Sequence, residues 1–145
     1  MSDVLTLSQI KVPGAARSKD DAIREAGEIL VGVGAVTPDY IDSMFERERS
    51  VSTYMGNYLA IPHGTNEAKE SIKRSALSVI RYAEPIDWDG NEVRFALGIA
   101  GYQGGHMDIL SRIAIVFSDT DEVDKLLAAG SAQELYDMLN AVNEE

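Results

Sequence analysis

Residues 58–68 read YLAIPHGTNEA, a sequence that combines a strand pattern, a strand-breaking proline and the start of a helix. Residues 58–61 form a short apolar run of the kind found in buried strands. Pro62 ends that run because proline has no N–H group to donate to a strand ladder. Thr65 and the residues that follow it are typical of the first turn of a helix. The stretch therefore predicts a strand, a short loop that carries His63, and a helix.

Strand and helix patterns alternate on both sides of this stretch. Upstream, the N-cap candidate Ser18 precedes apolar residues at helical spacing, and Thr37-Pro38 begins a second such pattern. Downstream, apolar runs flank a turn that contains Asp89-Gly90, and Ser131 with Glu134 forms a capping box. The predicted strands are residues 4–12, 58–61, 76–82 and 93–100, and the predicted helices start near residues 18, 37, 65, 109, 123 and 131.

The length and composition fit one globular domain of the α/β class. The 145 residues are 45% apolar and 26% charged, which is enough to bury a core without a metal or a disulfide. No linker, repeat or low-complexity tract divides the chain, so residues 1–145 are expected to form a single domain. The strands are few and short, which is compatible with a mixed sheet. We expect a mixed, mostly parallel sheet flanked by helices on both faces.

The charge and the lack of cysteine narrow the possible functions. Twenty-four acidic residues against thirteen basic ones give a net charge of −11, which disfavours nucleic acids and anionic membranes as partners. Without cysteine, the chain forms no disulfide, catalytic thiolate or sulfur-ligated zinc site. The N-terminal residues lack the pattern of a signal peptide, and no apolar run approaches the ~20 residues of a membrane span. We expect a soluble, cytoplasmic protein that does not insert into the membrane.

The two histidines, His63 and His106, occupy matching positions in the sequence. Each lies beside a glycine, where a predicted strand gives way to a predicted helix. Such a junction holds a side chain on a rigid element and leaves it open to solvent. The first N–H groups of the helix that follows can point toward an anion. These two residues are therefore the main candidates for chemistry.

Three kinds of chemistry could use this pair of histidines. A neutral imidazole can attack a phosphoryl group and hold it as a phosphoramidate, with Arg47, Arg49 or a protonated His106 as the neutralising cation. A metal site could combine both histidines with a carboxylate such as Asp108, although the spacing matches no metal motif. General acid–base catalysis on a small substrate is the third possibility. The spacing alone leaves all three open.

Nothing else in the sequence indicates a nucleotide-binding loop, a serine-hydrolase nucleophile or a sugar-binding site. The sequence has no glycine loop of the Walker type and no Gly-x-Ser-x-Gly elbow. Trp88 could stack on a sugar, but a tryptophan in a turn more often packs one edge against the protein. We therefore expect Trp88 to have a packing role.

Two segments, RERSVSTYMG at residues 47–56 and LAIPHGTNEAK at residues 59–69, closely resemble the IIA domains of the mannitol and fructose phosphotransferase family. The resemblance extends along essentially the whole chain, through residues 87–90, 93–100 and 106–110. Pro-His-Gly alone is a weak signal, but the combination is specific. The domains of that family have a mixed sheet between helices, in agreement with the patterns above.

This resemblance implies a role for each candidate residue. His63 corresponds to the phosphorylated histidine, which accepts a phosphoryl group from phospho-HPr and passes it to a cysteine of a IIB domain. Arg47 corresponds to the active-site arginine of the family, and His106 to its second active-site histidine. Thr53 and Gly56 match the motif and are assigned to shaping the loop. The implied partners are HPr and the IIB component of a sugar permease, with no cofactor, no metal and no sugar bound by this chain.

The expected sugar specificity depends on which members of the family the segments around His63 resemble most. Residues 53–56 and 62–69 are closer to the mannitol members of the family than to the fructose or nitrogen-regulatory members. We therefore expect a role in mannitol uptake, with a fructose-specific IIA component or a nitrogen-regulatory IIA-type phosphoprotein as the alternatives. A metal-dependent hydrolase that uses His63 and His106 is the rival from another functional class.

Overall fold

The computed structural model describes residues 4–102 and 106–140, without the side chains of residues 66, 67, 69, 106 and 107. The strands are β1 (Ile10–Lys11), β2 (Tyr54–Gly56), β3 (Leu59–Ala60), β4 (Ala76–Trp88) and β5 (Asn91–Ala100). The helices are α1 (Lys19–Gly32), α2 (Tyr40–Ser50), α3 (His106–Phe117), α4 (Thr120–Ala128) and α5 (Ala132–Leu139), and 3-10 turns cover Leu7–Gln9 and Asn66–Ser71. The α/β class is confirmed. No helix in the described ranges is long and apolar enough to cross a membrane.

The strands form one five-stranded sheet in the order β1-β4-β5-β3-β2. β1 pairs with β4, and β3 with β5, in the parallel sense. β4 pairs with β5, and β2 with β3, in the antiparallel sense. The mixed sheet is as predicted, but the expectation that it is mostly parallel is wrong, because the long β4–β5 pairing is antiparallel.

The turn between β4 and β5 explains this difference. Asp89 and Gly90 both have positive φ angles, 55° and 93°, a combination that closes a two-residue hairpin with the twist of the flanking strands. The N–H group of Gly90 also donates to the carboxylate of Asp87 at 2.9 Å. A turn this short leaves no room for a crossover helix, so the two strands must be antiparallel.

Helices cover both faces of the sheet, as predicted. One core cluster joins strand residues to apolar residues of α3, α4 and α5, and a second cluster joins the sheet to α1 and α2. In β5, Leu97 and Ile99 belong to the first cluster, whereas Ala96 and Ala100 belong to the second. This alternation follows from the pleat of a strand, in which successive side chains point to opposite faces.

The predicted element boundaries are only partly confirmed. Ser18 and Ser131 cap α1 and α5, each through a side-chain oxygen that accepts a backbone N–H group. The helix predicted from Thr37 begins at Tyr40 instead, because hydrogen bonds to the residue three positions earlier close the turn before it, from the Tyr40 N–H group to the Thr37 carbonyl and from the Ile41 N–H group to the Pro38 carbonyl. The helix predicted after Thr65 is a 3-10 turn, and the strand predicted at residues 4–12 is limited to β1 after another 3-10 turn.

Candidate functional site

His63 lies just past the carboxyl end of β3, beside the end of β5. It forms an isolated parallel bridge with Ile99, and the N–H group of Ile99 donates to the Pro62 carbonyl at 3.0 Å. The chain thus stays attached to the sheet after Pro62 ends the regular strand. His63 itself is half-buried. In sheets with neighbouring parallel strands, the region beyond their carboxyl ends is where ligands commonly bind.

The imidazole ring of His63 is oriented by its own backbone. Its Nδ1 atom lies 2.8 Å from the carbonyl oxygen of Ile61. A carbonyl oxygen only accepts hydrogen bonds, so Nδ1 carries the proton and donates it. In the neutral ring, the lone pair is therefore on Nε2. An imidazole in this tautomer is suited to nucleophilic attack through Nε2.

Helix α2 holds the loop that carries His63 through a buried tyrosine. The N–H group of Gly64 donates to the Tyr40 hydroxyl at 2.9 Å, and that hydroxyl donates to the Ile99 carbonyl at 2.8 Å. A Cβ atom on Gly64 would lie 2.5 Å from the Ser43 Oγ atom and 2.5 Å from the Tyr40 ring. Glycine is therefore required at position 64 because the backbone there packs directly against α2.

The burial of the Tyr40 hydroxyl against this loop also changes its pKa, and the change makes the stability of the protein depend on pH. Removal from solvent raises the pKa of Tyr40 to about 12, although the hydrogen bond from Gly64 opposes the shift. The folded protein then binds this proton more tightly than the unfolded chain does. We expect the free energy of unfolding to fall as the pH rises from about 10 to about 12.

A tyrosine-to-phenylalanine change separates the contribution of Tyr40 from that of other groups. Burial, the charge of Glu25 and the hydrogen bond to that carboxylate also raise the pKa of Tyr82, so the wild-type protein loses stability through both residues. Tyr40→Phe should therefore lose less stability between about pH 9 and about pH 11 than the wild type does, as measured by urea unfolding. Equal losses in the two proteins would contradict the raised pKa.

A buried carboxylate organises the segment before β2. Glu48, on α2, accepts hydrogen bonds from the Thr53 N–H group at 3.0 Å and from the Thr53 hydroxyl at 2.5 Å. It also accepts the indole N–H group of Trp88 at 3.1 Å. Trp88 is fully buried, so its predicted packing role is confirmed, although it lies at the end of β4 and not in the turn.

Arg47 lies on the face of α2 that meets the loop with His63. It follows Ser43 by four residues and Tyr40 by seven, which places all three on one side of the helix. Its Nη1 atom donates to the Val51 carbonyl at 2.8 Å, across the end of the helix. Arg49 lies on an exposed part of the same turn. Of the two candidate arginines, Arg47 is therefore the one on the side of His63.

For His106, the structure describes only the position of the backbone. His106 is the first residue of α3, and its side chain lies outside the described part of the structure. Since α3 follows β5 in the sequence and β5 runs parallel to β3, His106 and His63 both follow the carboxyl ends of neighbouring parallel strands. Within the described residues, no group of three or more histidine, aspartate or glutamate side chains is arranged to hold a metal ion.

Sequence reasoning missed two parts of this site. Glu48 lies in the charged run at the end of α2, where the sequence offered only Arg47 and Arg49 as candidate residues. The available signal was helical spacing, because Tyr40, Met44 and Glu48 are four residues apart and all three are buried. The Tyr40 contact with Gly64 had no comparable signal, because it joins residues 24 positions apart through the tertiary fold.

The fold and the sequence around His63 define a protein class. The chain belongs to the family described as "Phosphoenolpyruvate-dependent sugar phosphotransferase system, EIIA 2", which matches residues 3–142. The resemblance inferred from the Pro-His-Gly segment is thereby confirmed.

Individual relatives and solved structures are similar to the chain along nearly its whole length. The mannitol-specific phosphotransferase enzyme IIA component of Halalkalibacterium halodurans is 55% identical to it, over 97% of each chain. A chain in the complex of enzyme IIAMTL and phosphorylated enzyme IIBMTL from Escherichia coli has a TM-score of 0.86 and 30% identity, over 93% of this chain and 96% of that one. The nitrogen regulatory protein IIA-Ntr from Neisseria meningitidis has a TM-score of 0.82 and 29% identity, over 94% of this chain and 96% of that one.

Proposed function

We propose that this chain is the IIA phosphoryl carrier of a mannitol phosphotransferase system, with residues 1–145 acting as one domain. In the cytoplasm, His63 accepts a phosphoryl group from phospho-HPr and passes it to the cysteine of a IIB component. The observation that carries the proposal is the 2.8 Å contact between His63 Nδ1 and the Ile61 carbonyl. It leaves the lone pair of Nε2 as the nucleophile.

The first transfer moves the phosphoryl group from one imidazole to another. The Nε2 lone pair of His63 attacks phosphorus in line with the phosphorus–nitrogen bond of phospho-HPr, and that bond breaks as the new one forms. The ring of His63 gains positive charge as Nε2 forms its bond. The Nδ1–H group then makes a charge-assisted hydrogen bond to the Ile61 carbonyl. No proton has to leave Nε2, because it carries none.

The second transfer reverses these roles. The thiolate of the IIB cysteine attacks phosphorus, the bond to Nε2 breaks, and His63 returns to the neutral ring with its proton on Nδ1. In both steps, charge is spread over the equatorial oxygens of the transferred group. A nearby cation or N–H donor stabilises that charge. We assign this role to Arg47, with His106 assisting, and neither residue carries the phosphoryl group.

The sugar is assigned from sequence similarity and not from the fold. The relative that is 55% identical carries a mannitol-specific name, which supports mannitol over fructose and over nitrogen regulation. Structural likeness does not separate mannitol transfer from nitrogen regulation, since the matched chains of the Escherichia coli mannitol complex and of the nitrogen regulatory protein have TM-scores of 0.86 and 0.82. The chain itself is proposed to bind no sugar and to use no cofactor.

Transfer assays test both the carrier mechanism and the choice of sugar. After incubation with phosphoenolpyruvate, Enzyme I and HPr, mass spectrometry should show one phosphoryl group on the protein. The phosphorylated protein should then transfer it faster to a purified mannitol-type IIB domain than to a fructose-type one, because mismatches at the docking surface penalise the wrong partner.

Each other outcome of this assay identifies a specific error. Faster transfer to the fructose-type IIB domain would contradict the mannitol assignment and leave the carrier mechanism intact. Transfer to neither domain would favour the nitrogen-regulatory alternative. A IIB domain with serine in place of its cysteine is the control, and it should accept nothing.

A further inference from the structure

We propose that Glu48 is a positioning residue that sets the tautomer and orientation of the His63 ring through Thr53 and Ile61. This inference builds on the proposed function, in which His63 Nε2 is the nucleophile. Glu48 makes no contact with the ring in this scheme. Its task is to hold the backbone that presents the Ile61 carbonyl to the Nδ1–H group.

The surroundings of the Glu48 carboxylate show that it is held by donors and not by a cation. Glu48 is 7% exposed and accepts three hydrogen bonds, two from Thr53 and one from Trp88. None of the ion pairs between described residues includes it. Burying a carboxylate costs free energy unless hydrogen bonds compensate. Without this acceptor the buried N–H groups of Thr53 and Trp88 would have no partner, so the carboxylate fixes the positions of both residues.

Thr53 is the first link between this carboxylate and the site. The carboxylate binds Thr53 at two points, the N–H group at 3.0 Å and the hydroxyl at 2.5 Å. Two contacts on one residue fix both its side chain and the direction of its backbone. The carbonyl oxygen of Thr53 then accepts the N–H group of Ile61 at 3.1 Å. Thr53 thus aligns the residue whose carbonyl faces His63.

Ile61 is the second link, because both of its backbone polar groups are engaged. Its N–H group donates to Thr53, and its carbonyl oxygen accepts Nδ1–H of His63 at 2.8 Å. The side chain of Ile61 is buried in the first core cluster, which limits its movement. Displacing Thr53 would therefore displace the acceptor of the Nδ1–H group.

The consequence for the ring follows from histidine chemistry. A neutral histidine side chain in water favours the tautomer with its proton on Nε2, which cannot attack phosphorus through that atom. The Ile61 carbonyl reverses this preference by accepting Nδ1–H. If the carbonyl is misplaced, the reactive tautomer becomes less populated and the ring less well aimed. A misplacement of this kind can cost on the order of a hundredfold in rate.

The test compares Glu48→Leu with Glu48→Gln. Leucine removes every acceptor, so nitrogen NMR of the His63 ring should show a shift toward the Nε2–H tautomer, and phosphoryl acceptance should slow about tenfold to a hundredfold. Glutamine can still accept both N–H donors through its amide oxygen, while the Thr53 hydroxyl reverses to accept from the amide. Glu48→Gln should therefore restore most of the tautomer and most of the rate.

Glu25 supplies the matched control. It is 8% exposed, and its carboxylate accepts hydrogen bonds from Lys11, Tyr82 and two backbone N–H groups. Glu25→Leu should lower the free energy of unfolding but leave the His63 tautomer and the acceptance rate at wild-type values. An equal tautomer shift in Glu25→Leu would mean that any destabilisation of the fold changes the tautomer, and it would overturn the proposal. A wild-type tautomer in folded Glu48→Leu would also overturn it.

A second variant keeps the test decisive if Glu48→Leu does not fold. Thr53→Val removes only the hydroxyl link and retains both N–H bonds to the carboxylate. It should shift the tautomer in the same direction by a smaller amount, and an unchanged tautomer would refute the proposed path. The NMR measurement needs no phosphoryl donor, so it also separates failure of the positioning role from failure of the proposed function.

Discussion

We expect His63→Ala to abolish phosphorylation of the protein by phosphoenolpyruvate, Enzyme I and HPr. Alanine removes the only atom that the mechanism uses as a nucleophile, the Nε2 atom of the ring. The fold should survive, because the loop keeps its bonds from Ile99 to Pro62 and from Gly64 to Tyr40. Mass spectrometry measures the loss of label, and circular dichroism checks the fold. We expect the largest effect of any single substitution here.

Two observations guard against a wrong assignment of the nucleophile. The wild-type adduct should be labile in acid and stable in base, as expected of a phosphoramidate. His106→Ala should still be labelled at His63, only more slowly. Normal labelling of His63→Ala would falsify the assignment, and complete loss of label in His106→Ala would require the two histidines to exchange roles.

The elements that the sequence predicted well are those with strong local signals. Ser18 and Ser131 mark helix starts because each side-chain oxygen satisfies an N–H group within its own first turn. Pro62 marks a strand end because proline removes a donor from the ladder. These effects act over a few residues, so a single sequence reveals them without knowledge of the fold.

The strand directions were less predictable, because the decisive signal was interpreted too generally. The sequence analysis predicts only a turn at Asp89-Gly90, whereas the structure has a two-residue hairpin with two left-handed residues. The apolar pattern also predicts a strand that ends at Tyr82, whereas β4 continues to Trp88. Recognising the hairpin would have given the antiparallel β4–β5 pair and removed the expectation of a mostly parallel sheet.

The hydrogen-bond partners of Glu48 and Tyr40 could not be predicted, because these contacts join residues that are distant in the sequence. Glu48 meets Trp88 across 40 residues of sequence, and Tyr40 meets Ile99 across 59. Local propensity cannot indicate which partner a buried polar group finds at such a distance. The histidine is therefore readable from its motif, whereas the groups that orient it are visible only in the folded chain.

Arg47→Ala should slow phosphoryl acceptance by about 10²–10³-fold while His63 remains the labelled residue. Arg47 lies on the face of α2 that packs against Gly64 through Tyr40 and Ser43. From there, its guanidinium can meet charge that develops on the phosphoryl oxygens. Because the loss concerns the transition state, the final extent of labelling at long times should approach that of the wild type. The measurement is the time course of phosphorylation by phospho-HPr.

The neighbouring arginine and a lysine replacement test whether this effect comes from charge, from geometry or from helix stability. Arg49 is exposed on the same turn of α2, so Arg49→Ala removes an equal charge from the helix end and should react at nearly the wild-type rate. Arg47→Lys keeps the charge but loses the planar fork of donors, so its rate should fall between those of the wild type and Arg47→Ala. If Arg49→Ala slows transfer as much as Arg47→Ala, the effect is long-range electrostatics. If Arg47→Ala reacts at the wild-type rate, Arg47 has no part in the transfer, and the charge must be met by backbone N–H groups or by the partner protein.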